Sequence, residues 1–325
     1  MENIISKFEG MRVLVIGDVM IDAYLMGQVD RISPEAPVPV VAVKNKESRL
    51  GGAANVAMNL VALGAKPILC SVIGEDQEGK ELLGLLEKEK IGIEGIICSK
   101  ERITTVKTRV IAQQHQMLRI DQENSNPISE YDSFLLGKRI INDLLPACDV
   151  IIFEDYDKGV ITPTLIKQIV AEAHKRSIKI AVDPKKRNFN EYVGVDLFKP
   201  NLKELKEGYQ IDLDPSDQIS FETGIIAFMQ KMQIKNIMVT LSERGVMISN
   251  GKKFDYIPAH IRKIADVSGA GDTVISVASL CLALDLPNSQ IAALANLAGG
   301  LVCEEVGVVP INKKRLIQES ALVKQ

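Results

Sequence analysis

The stretch Asp266-Val267-Ser268-Gly269-Ala270-Gly271-Asp272-Thr273 decides how the rest of the chain is read. Two glycines around an alanine let the backbone turn tightly and approach a ligand closely. The small, apolar run Val274 to Leu286 that follows reads as a helix. The loop therefore ends at a helix N-terminus, where free N–H groups and the helix dipole favour an anion. Asp272 falls where that positive field is strongest. A carboxylate there has two readings: a helix cap, or a base beside a nest for transferring phosphoryl oxygens.

Composition narrows the setting. A chain of 325 residues buries a large core, as one α/β domain or two smaller ones. Trp is absent and aromatic residues are few, which argues against a stacking platform for single-stranded nucleic acid. Lys and Arg total 39 against 42 Asp and Glu, a net charge of −3, so no global basic field draws nucleic acid or a membrane surface. Cys70, Cys98, Cys148, Cys281 and Cys303 are far apart, form no Cys-x-x-Cys pair, and read as buried thiols of a reducing cytoplasm. His115, His174 and His260 are dispersed, against a His-based metal centre or hydrolase triad; His174 reads as solvated. The charged start Met1 to Gly10 is too short for a signal peptide. No run reaches the roughly 20 apolar residues of a membrane span. The expected location is the cytoplasm.

Arg12 to Asp18 reads as a buried parallel strand ending at a site, without the Gly-x-Gly-x-x-Gly of a dinucleotide fold. Asp18 and Asp22, just past its end, are either loop acids or ligands for hydroxyls. Between Tyr24 and Val43 the phrase Ser33-Pro34-Glu35-Ala36-Pro37-Val38-Pro39 excludes a helix and suits an edge strand. Thr104 to Ile111 and Gln116 to Asp121, around a Gln113-Gln114-His115 turn, read as a second strand pair. Together these predict a small antiparallel sheet over about 23–43 and 103–121, inserted as a lid or a dimer surface. Gly51-Gly52 opens a helix carrying Asn55, followed by a strand Lys66 to Ile73 and a charged helix to Lys90.

From residue 132 strands and helices alternate: helix Ser133 to Leu145, strand Asp149 to Phe153, helix Thr164 to Arg176, strand Lys179 to Val182. A short strand at Phe198, helices Lys203 to Tyr209 and Phe221 to Met232, and a strand Ile237 to Thr240 follow. Val246 to Ser249 and Lys253 to Ile257 make a hairpin through Asn250-Gly251, and helices Asp272 to Leu284 and Ser289 to Glu304 complete the pattern. The rhythm predicts an α/β fold: one domain spanning 1–325, a doubly wound, mostly parallel sheet with helices on both faces plus the small inserted sheet. Polar loops follow each strand end, at Glu154 to Gly159, Asp183 to Arg187, Pro200 to Glu204 and Leu241 to Gly245. Each alone is an ordinary loop; their convergence at one sheet edge predicts one cleft.

Phosphoryl transfer needs positioning and charge neutralisation more than covalent chemistry. Asp272 is placed to accept the proton of an attacking hydroxyl, and the N–H groups of Gly269, Ala270 and Gly271 to hold phosphoryl oxygens. Glu204 is a candidate for Mg²⁺, directly or through water. Asn201, Thr240 and Ser242 are candidates for phosphates or ribose, with Gly245 allowing close approach. Neither a Walker loop nor the protein-kinase signature set is present.

On three elements the chain resembles the ribokinase-like (PfkB) sugar kinases: Asp266 to Thr273, Gly51-Gly52-Ala53-Ala54-Asn55-Val56-Ala57, and Asn201-Leu202-Lys203-Glu204, in that family's order. The phrases Gly17-Asp18-Val19-Met20, Arg31 to Val40, Thr105 to Val110, Asp155-Tyr156-Asp157-Lys158-Gly159 and Asp183-Pro184-Lys185 resemble its heptose 7-phosphate kinase branch. The resemblance implies a ribokinase-like fold and ATP- and Mg²⁺-dependent phosphorylation of the anomeric hydroxyl of D-glycero-β-D-manno-heptose 7-phosphate, on the route to ADP-heptose and the lipopolysaccharide core. It implies Asp272 as base, Asp22, Gly51, Gly52, Asn55 and Asp155 at the sugar, and Asn201, Thr240, Ser242, Gly245 and Asn296 around ATP. It also implies Mg²⁺ near Glu204, a monovalent cation such as K⁺ near Asp266, Ser268 and Gly307, and a homodimer through the lid. Ser268 stands where the family usually has Thr, which keeps the hydroxyl. Among the basic residues, Arg109 and Lys185 are the candidates for the sugar's own phosphate. None of the histidines forms a His-x-Gly-His motif, so no C-terminal adenylyltransferase is expected in 1–325. The alternatives are a kinase of fructose 1-phosphate, tagatose 6-phosphate, ribose or a nucleoside, and a non-catalytic sugar- or nucleotide-binding regulator.

Overall fold

The structure, a computed structural model, describes residues 2–113, 115–210, 213–260 and 262–321; Gln114 of the expected turn lies outside them. A short helix α1 (Glu2–Ile5) precedes β1 (Arg12–Gly17), and the long strands β2 (Val19–Ile32) and β3 (Pro39–Gly52) lead into α2 (Ala53–Leu63). Then come β4 (Lys66–Gly74), α3 (Gln77–Lys88), β5 (Gly92–Ser99), β6 (Val106–Ala112), β7 (His115–Gln122) and α4 (Glu130–Arg139). The alternation continues through β8 (Val150–Glu154), α5 (Pro163–Lys175), β9 (Lys179–Asp183), β10 (Leu197–Phe198), α6 (Leu202–Tyr209), α7 (Gln218–Met232) and β11 (Asn236–Thr240). The hairpin β12 (Val246–Ser249) and β13 (Phe254–Ile257) follows, then α8 (Ala270–Ala283), α9 (Asn288–Val302) and α10 (Lys313–Ser320).

The described strands form two sheets, of order β13-β12-β11-β10-β9-β8-β1-β4-β5 and β3-β2-β6-β7. In the large sheet β11, β10, β9, β8, β1, β4 and β5 run parallel and only the β12–β13 hairpin is antiparallel. Its central strands are buried on both faces, which is why they read as continuous apolar runs. Val13 and Val15 of β1 join a core with α2, α8 and α9. Leu14 and Ile16 join a second core with Phe153, Phe198, Phe221 and Phe228 on the opposite face. The strand order reverses at β1, which lies between β4 and β8, so the crevice for a ligand opens beyond the carboxyl ends of β1 and β8.

Several expectations need correction. β3 runs to Gly52, well past the expected limit at 43, because Asn45 to Gly52 pair residue by residue with β2, and the small sheet is mixed rather than antiparallel, because β2 and β6 pair in parallel. β5 has no counterpart in the sequence reading; its apolar residues are broken by Gly92, Glu94 and Gly95, yet it pairs in parallel with β4. The helix expected over Ser133 to Leu145 ends at Arg139 and continues as a wider turn, Ile140–Leu144. Of the cysteines read as buried, Cys70 and Cys281 are, whereas Cys148 and Cys303 are half-buried and Cys98 is exposed. The His174 ring, although exposed, bonds the Gly194 carbonyl at 3.0 Å. Among the described residues no helix is long and apolar enough to cross a membrane.

Candidate active site

The register of parallel strands builds the site. Gly17, Glu154 and Asp183 are neighbours across β1, β8 and β9, so two acids stand side by side at the crevice. Both are buried. From the other side comes α8, whose first turn carries Asp272. This helix is buried almost throughout, because α2, α9 and the sheet enclose it. Asn55 and Asn59 of α2, one helical turn apart, face it. Asn59 accepts from the Thr273 hydroxyl at 3.0 Å and from the Ile311 N–H at 3.0 Å. Asn55 Nδ2 donates to Asp272 Oδ2.

Gly269 adopts a left-handed conformation with φ 78° and starts α8 without a side-chain cap. The N–H of Ala270 closes a turn onto the Val267 carbonyl at 3.3 Å. It is therefore not free for an anion, in contrast to the sequence reading. Those of Gly269, Gly271 and Asp272 meet no acceptor among the described residues. Asp272 lies beside them with both oxygens engaged, by Asn55 and by the Tyr156 hydroxyl at 2.9 Å. Burial pushes its carboxyl up to about 6, the Asn55 hydrogen bond opposing and the Asp183 charge adding to the shift. Burial also pushes the Tyr156 phenol well above its ordinary range, so it stays a donor.

The oxygens of Glu154, Asp183 and Asp272 lie within 4.8 Å of one another. Glu154 Oε2 is buried without a partner, and burial with the Asp183 charge drives its carboxyl well above the ordinary range. Asp183 is held by Lys199, whose Nζ lies 2.7 Å from Oδ2 and whose side chain is 3% exposed. Burial disfavours the Lys199 ammonium, but the Asp183 and Glu204 charges outweigh it and hold the ammonium above its ordinary range. Paired hard oxygens with one unsatisfied are the donor set that suits Mg²⁺. Glu204, the expected ligand, is otherwise occupied: one oxygen accepts the Asn201 N–H at 2.8 Å in a capping box and the other takes Lys185.

The remaining sequence-predicted residues divide into three groups. Asp22 is buried at the foot of the small sheet and pairs with Arg109. Gly51 lies against it: a Cβ there would fall 2.4 Å from Asp22 Oδ2, and Gly52 has φ 62°, so side chains are excluded from both. Asn55 Oδ1 is buried without a partner at the same place. Thr240 bridges Asn201, and with Ser242 these line an open groove of about 620 Å³. Asn296 is tied to the Pro258 carbonyl at 2.9 Å. Asp266 accepts the N–H groups of Ser268 and Gly307, bracing the loop, while Ser268 itself is exposed.

Four residues are placed differently from their expected roles. Asp155 is turned into the core, where Asn188, Tyr192 and the Asp157 N–H consume its oxygens. Asp18 likewise accepts three backbone N–H groups and offers nothing to a hydroxyl. Gly245 is required by the fold itself, with φ 89° and the Ile257 carbonyl 2.0 Å from where a Cβ would lie. Lys185 pairs with Glu204 and lies 5.8 Å from the Tyr156 ring centre, beside the acids. Glu154, Asp183, Lys199 and Tyr156 are given no role by the sequence, although all but Lys199 fall in its polar loops; their signal is the position of each at or just past a strand end.

The pfkB family carbohydrate kinase profile matches residues 11–315. The chain is 40% identical over 322 residues to the bifunctional protein HldE of Syntrophotalea carbinolica, covering 98% of this chain and 65% of that protein. It is also 40% identical over 307 residues to the HldE protein of Methylobacillus flagellatus, covering 94% and 62%. The chain thus spans less than two thirds of the length of these relatives. Its fold is similar to that of phosphofructokinase-2 from Escherichia coli, solved with potassium, with a TM-score of 0.79, 18% identity, and 97% and 100% of the two chains covered. Arabidopsis thaliana ribokinase, solved with ribose and ATP, matches with a TM-score of 0.72 at 16% identity, over 95% and 99% of the chains.

The buried Lys199–Asp183 pair gives a direct stability test. Lys199→Met leaves Asp183 buried and unpaired and should cost about 3–5 kcal/mol, read as a lower urea midpoint; an unchanged midpoint contradicts the pairing.

Proposed function

We propose that this chain, which belongs to the pfkB family of carbohydrate kinases, transfers the γ-phosphoryl group of ATP to the anomeric hydroxyl of a heptose 7-phosphate. The observation that carries the transfer is Asp272 at the head of α8, a buried carboxylate beside free N–H groups. The hydroxyl proton passes to Asp272 as the oxygen attacks. The N–H groups of Gly271 and Asp272 take the equatorial phosphoryl oxygens, and Lys199 offsets the charge that gathers there. Mg²⁺, when bound, would neutralise phosphate charge, held by Asp183 and Glu154. ATP lies along the groove of Asn201, Thr240 and Ser242, whose open volume suits a nucleotide.

The sugar stands between Asp22, the Gly51–Gly52 backbone and Asn55, whose unpartnered Oδ1 needs a hydroxyl donor. The heptose reading is supported by the phrases around Arg31 to Val40 and by the likeness to the HldE proteins. For the sugar's own phosphate we favour Arg109 together with Arg49. Their guanidinium carbons lie 5.5 and 4.8 Å from the centre of the same Tyr24 ring. Lys185 serves the metal side instead.

The small sheet acts as the lid. Alternation puts Asp22, Tyr24, Lys107 and Arg109 on one face and Ala23, Leu25, Thr108, Val110, Leu118 and Ile120 on the other. Leu118 and Ile120 are 56% and 51% exposed, and such an apolar row calls for a cover. A second copy of the chain is the cover we favour.

Two measurements test these readings. In a panel with ATP and Mg²⁺, ³¹P spectra should show a second, anomeric phosphate on heptose 7-phosphate in preference to fructose 1-phosphate, tagatose 6-phosphate, ribose and nucleosides. Preference for another sugar overturns the heptose reading, and no transfer to any of them overturns the kinase reading. Sedimentation should give a dimer that Ile120→Asp splits into monomers; a monomeric wild type overturns the cover.

A further inference from the structure

The segment Asp155 to Val160 is wound around two buried carboxylates. Asp18, 1% exposed, accepts the N–H groups of Tyr156 at 3.0 Å, Lys158 at 3.1 Å and Val160 at 2.9 Å. Asp155 takes the intervening Asp157 N–H at 2.8 Å. From outside, the Arg102 guanidinium donates to the carbonyls of Lys158 and Asn126. A carboxylate that accepts several backbone N–H bonds fixes the segment that supplies them. Two side chains leave this fixed segment. The Tyr156 hydroxyl donates to Asp272 Oδ1 at 2.9 Å, and Lys158 Nζ reaches Glu123 at 2.8 Å.

Among the described residues, Asn55 alone holds the other oxygen of Asp272. One hydrogen bond leaves a carboxylate free to rotate about its Cβ–Cγ bond; a second, on the other oxygen, fixes its plane. Tyr156 thus decides which lone pair of Asp272 faces an incoming hydroxyl.

We propose that Tyr156 is a positioning residue for Asp272, and that the buried Asp18, itself outside the reacting centre, acts on the reaction by fixing the segment that carries Tyr156. The proposal rests on the reading of Asp272 as the base. It assigns Asp18, the acid of the Gly17-Asp18 strand end, to orientation of the base and not to the sugar.

Orientation of the base affects turnover more than ground-state binding, so the effects should fall on kcat. With whichever sugar the wild type phosphorylates, Tyr156→Phe should lower kcat about five- to tenfold while KM for sugar and for ATP stays within about twofold. Asp18→Asn, near-isosteric, should give a loss of similar size. The double variant tests the link: if Asp18 works through Tyr156, it should fall no more than about twofold below Tyr156→Phe alone. Should Asp18→Asn melt below the assay temperature, Arg102→Lys, which loosens the outer brace, takes its place in the cycle. An unchanged kcat in Tyr156→Phe, or a loss confined to KM, overturns the proposal while leaving the kinase reading intact. A double variant whose loss equals the product of the single losses overturns the role of Asp18. A wild type that phosphorylates no sugar overturns the kinase reading, and this proposal with it.

Discussion

Three carboxylates, Glu154, Asp183 and Asp272, share a buried space in which their oxygens come within 4.8 Å of one another. At an effective dielectric near 20, each like-charged pair at that separation costs roughly 3 kcal/mol. The fold holds this charge with two devices. Lys199 is buried against Asp183, and α8 begins beside them with the Gly269, Gly271 and Asp272 N–H groups lacking an acceptor among the described residues. Glu154 stays far above its ordinary range, which marks where compensation is incomplete. Unbalanced negative charge with the orphaned Glu154 oxygen suits a cation, and fixed N–H donors suit an anion, in keeping with the proposed transfer.

The parallel sheet makes this arrangement possible. Register aligns the ends of β1, β8 and β9, so acids distant in sequence become neighbours through the pairing of their strands. Helix α8 then approaches from one face because α2 offers it Asn55 and Asn59 on a single stripe. The small sheet joins the same region through β2, which follows β1 directly, and β3, which leads into α2, and it carries Asp22 paired with Arg109. Each group reaches the crevice on a rigid element, the requirement for chemistry that depends on placement.

Much of this was legible from residue types. The Gly-Ala-Gly-Asp loop announces itself through small residues ahead of an apolar helix, and strand–helix alternation gives the doubly wound sheet. What stayed hidden depends on side-chain direction. Glu154 and Asp155 are adjacent, yet one faces the crevice and the other is consumed by Asn188 and Tyr192 in the core. Asp18 looks like a ligand and is a brace, because its partners are backbone N–H groups 138 to 142 residues away. Lys185 and Arg109 both looked like phosphate anchors; only the register of β2 with β6 and the capping of α6 shows that they sit at different acids. Strand β5 was missed because glycines and a glutamate interrupt its apolar residues.

The central claim is that Asp272 takes the proton of the attacking hydroxyl. Its most direct test compares Asp272→Asn with the wild type in turnover and in ATP binding. The amide keeps the shape and the Tyr156 and Asn55 neighbours but cannot accept the proton. The account predicts a loss of about 10²–10⁴-fold in kcat, with ATP affinity and melting temperature close to wild type. Near-wild-type turnover in that variant would contradict it.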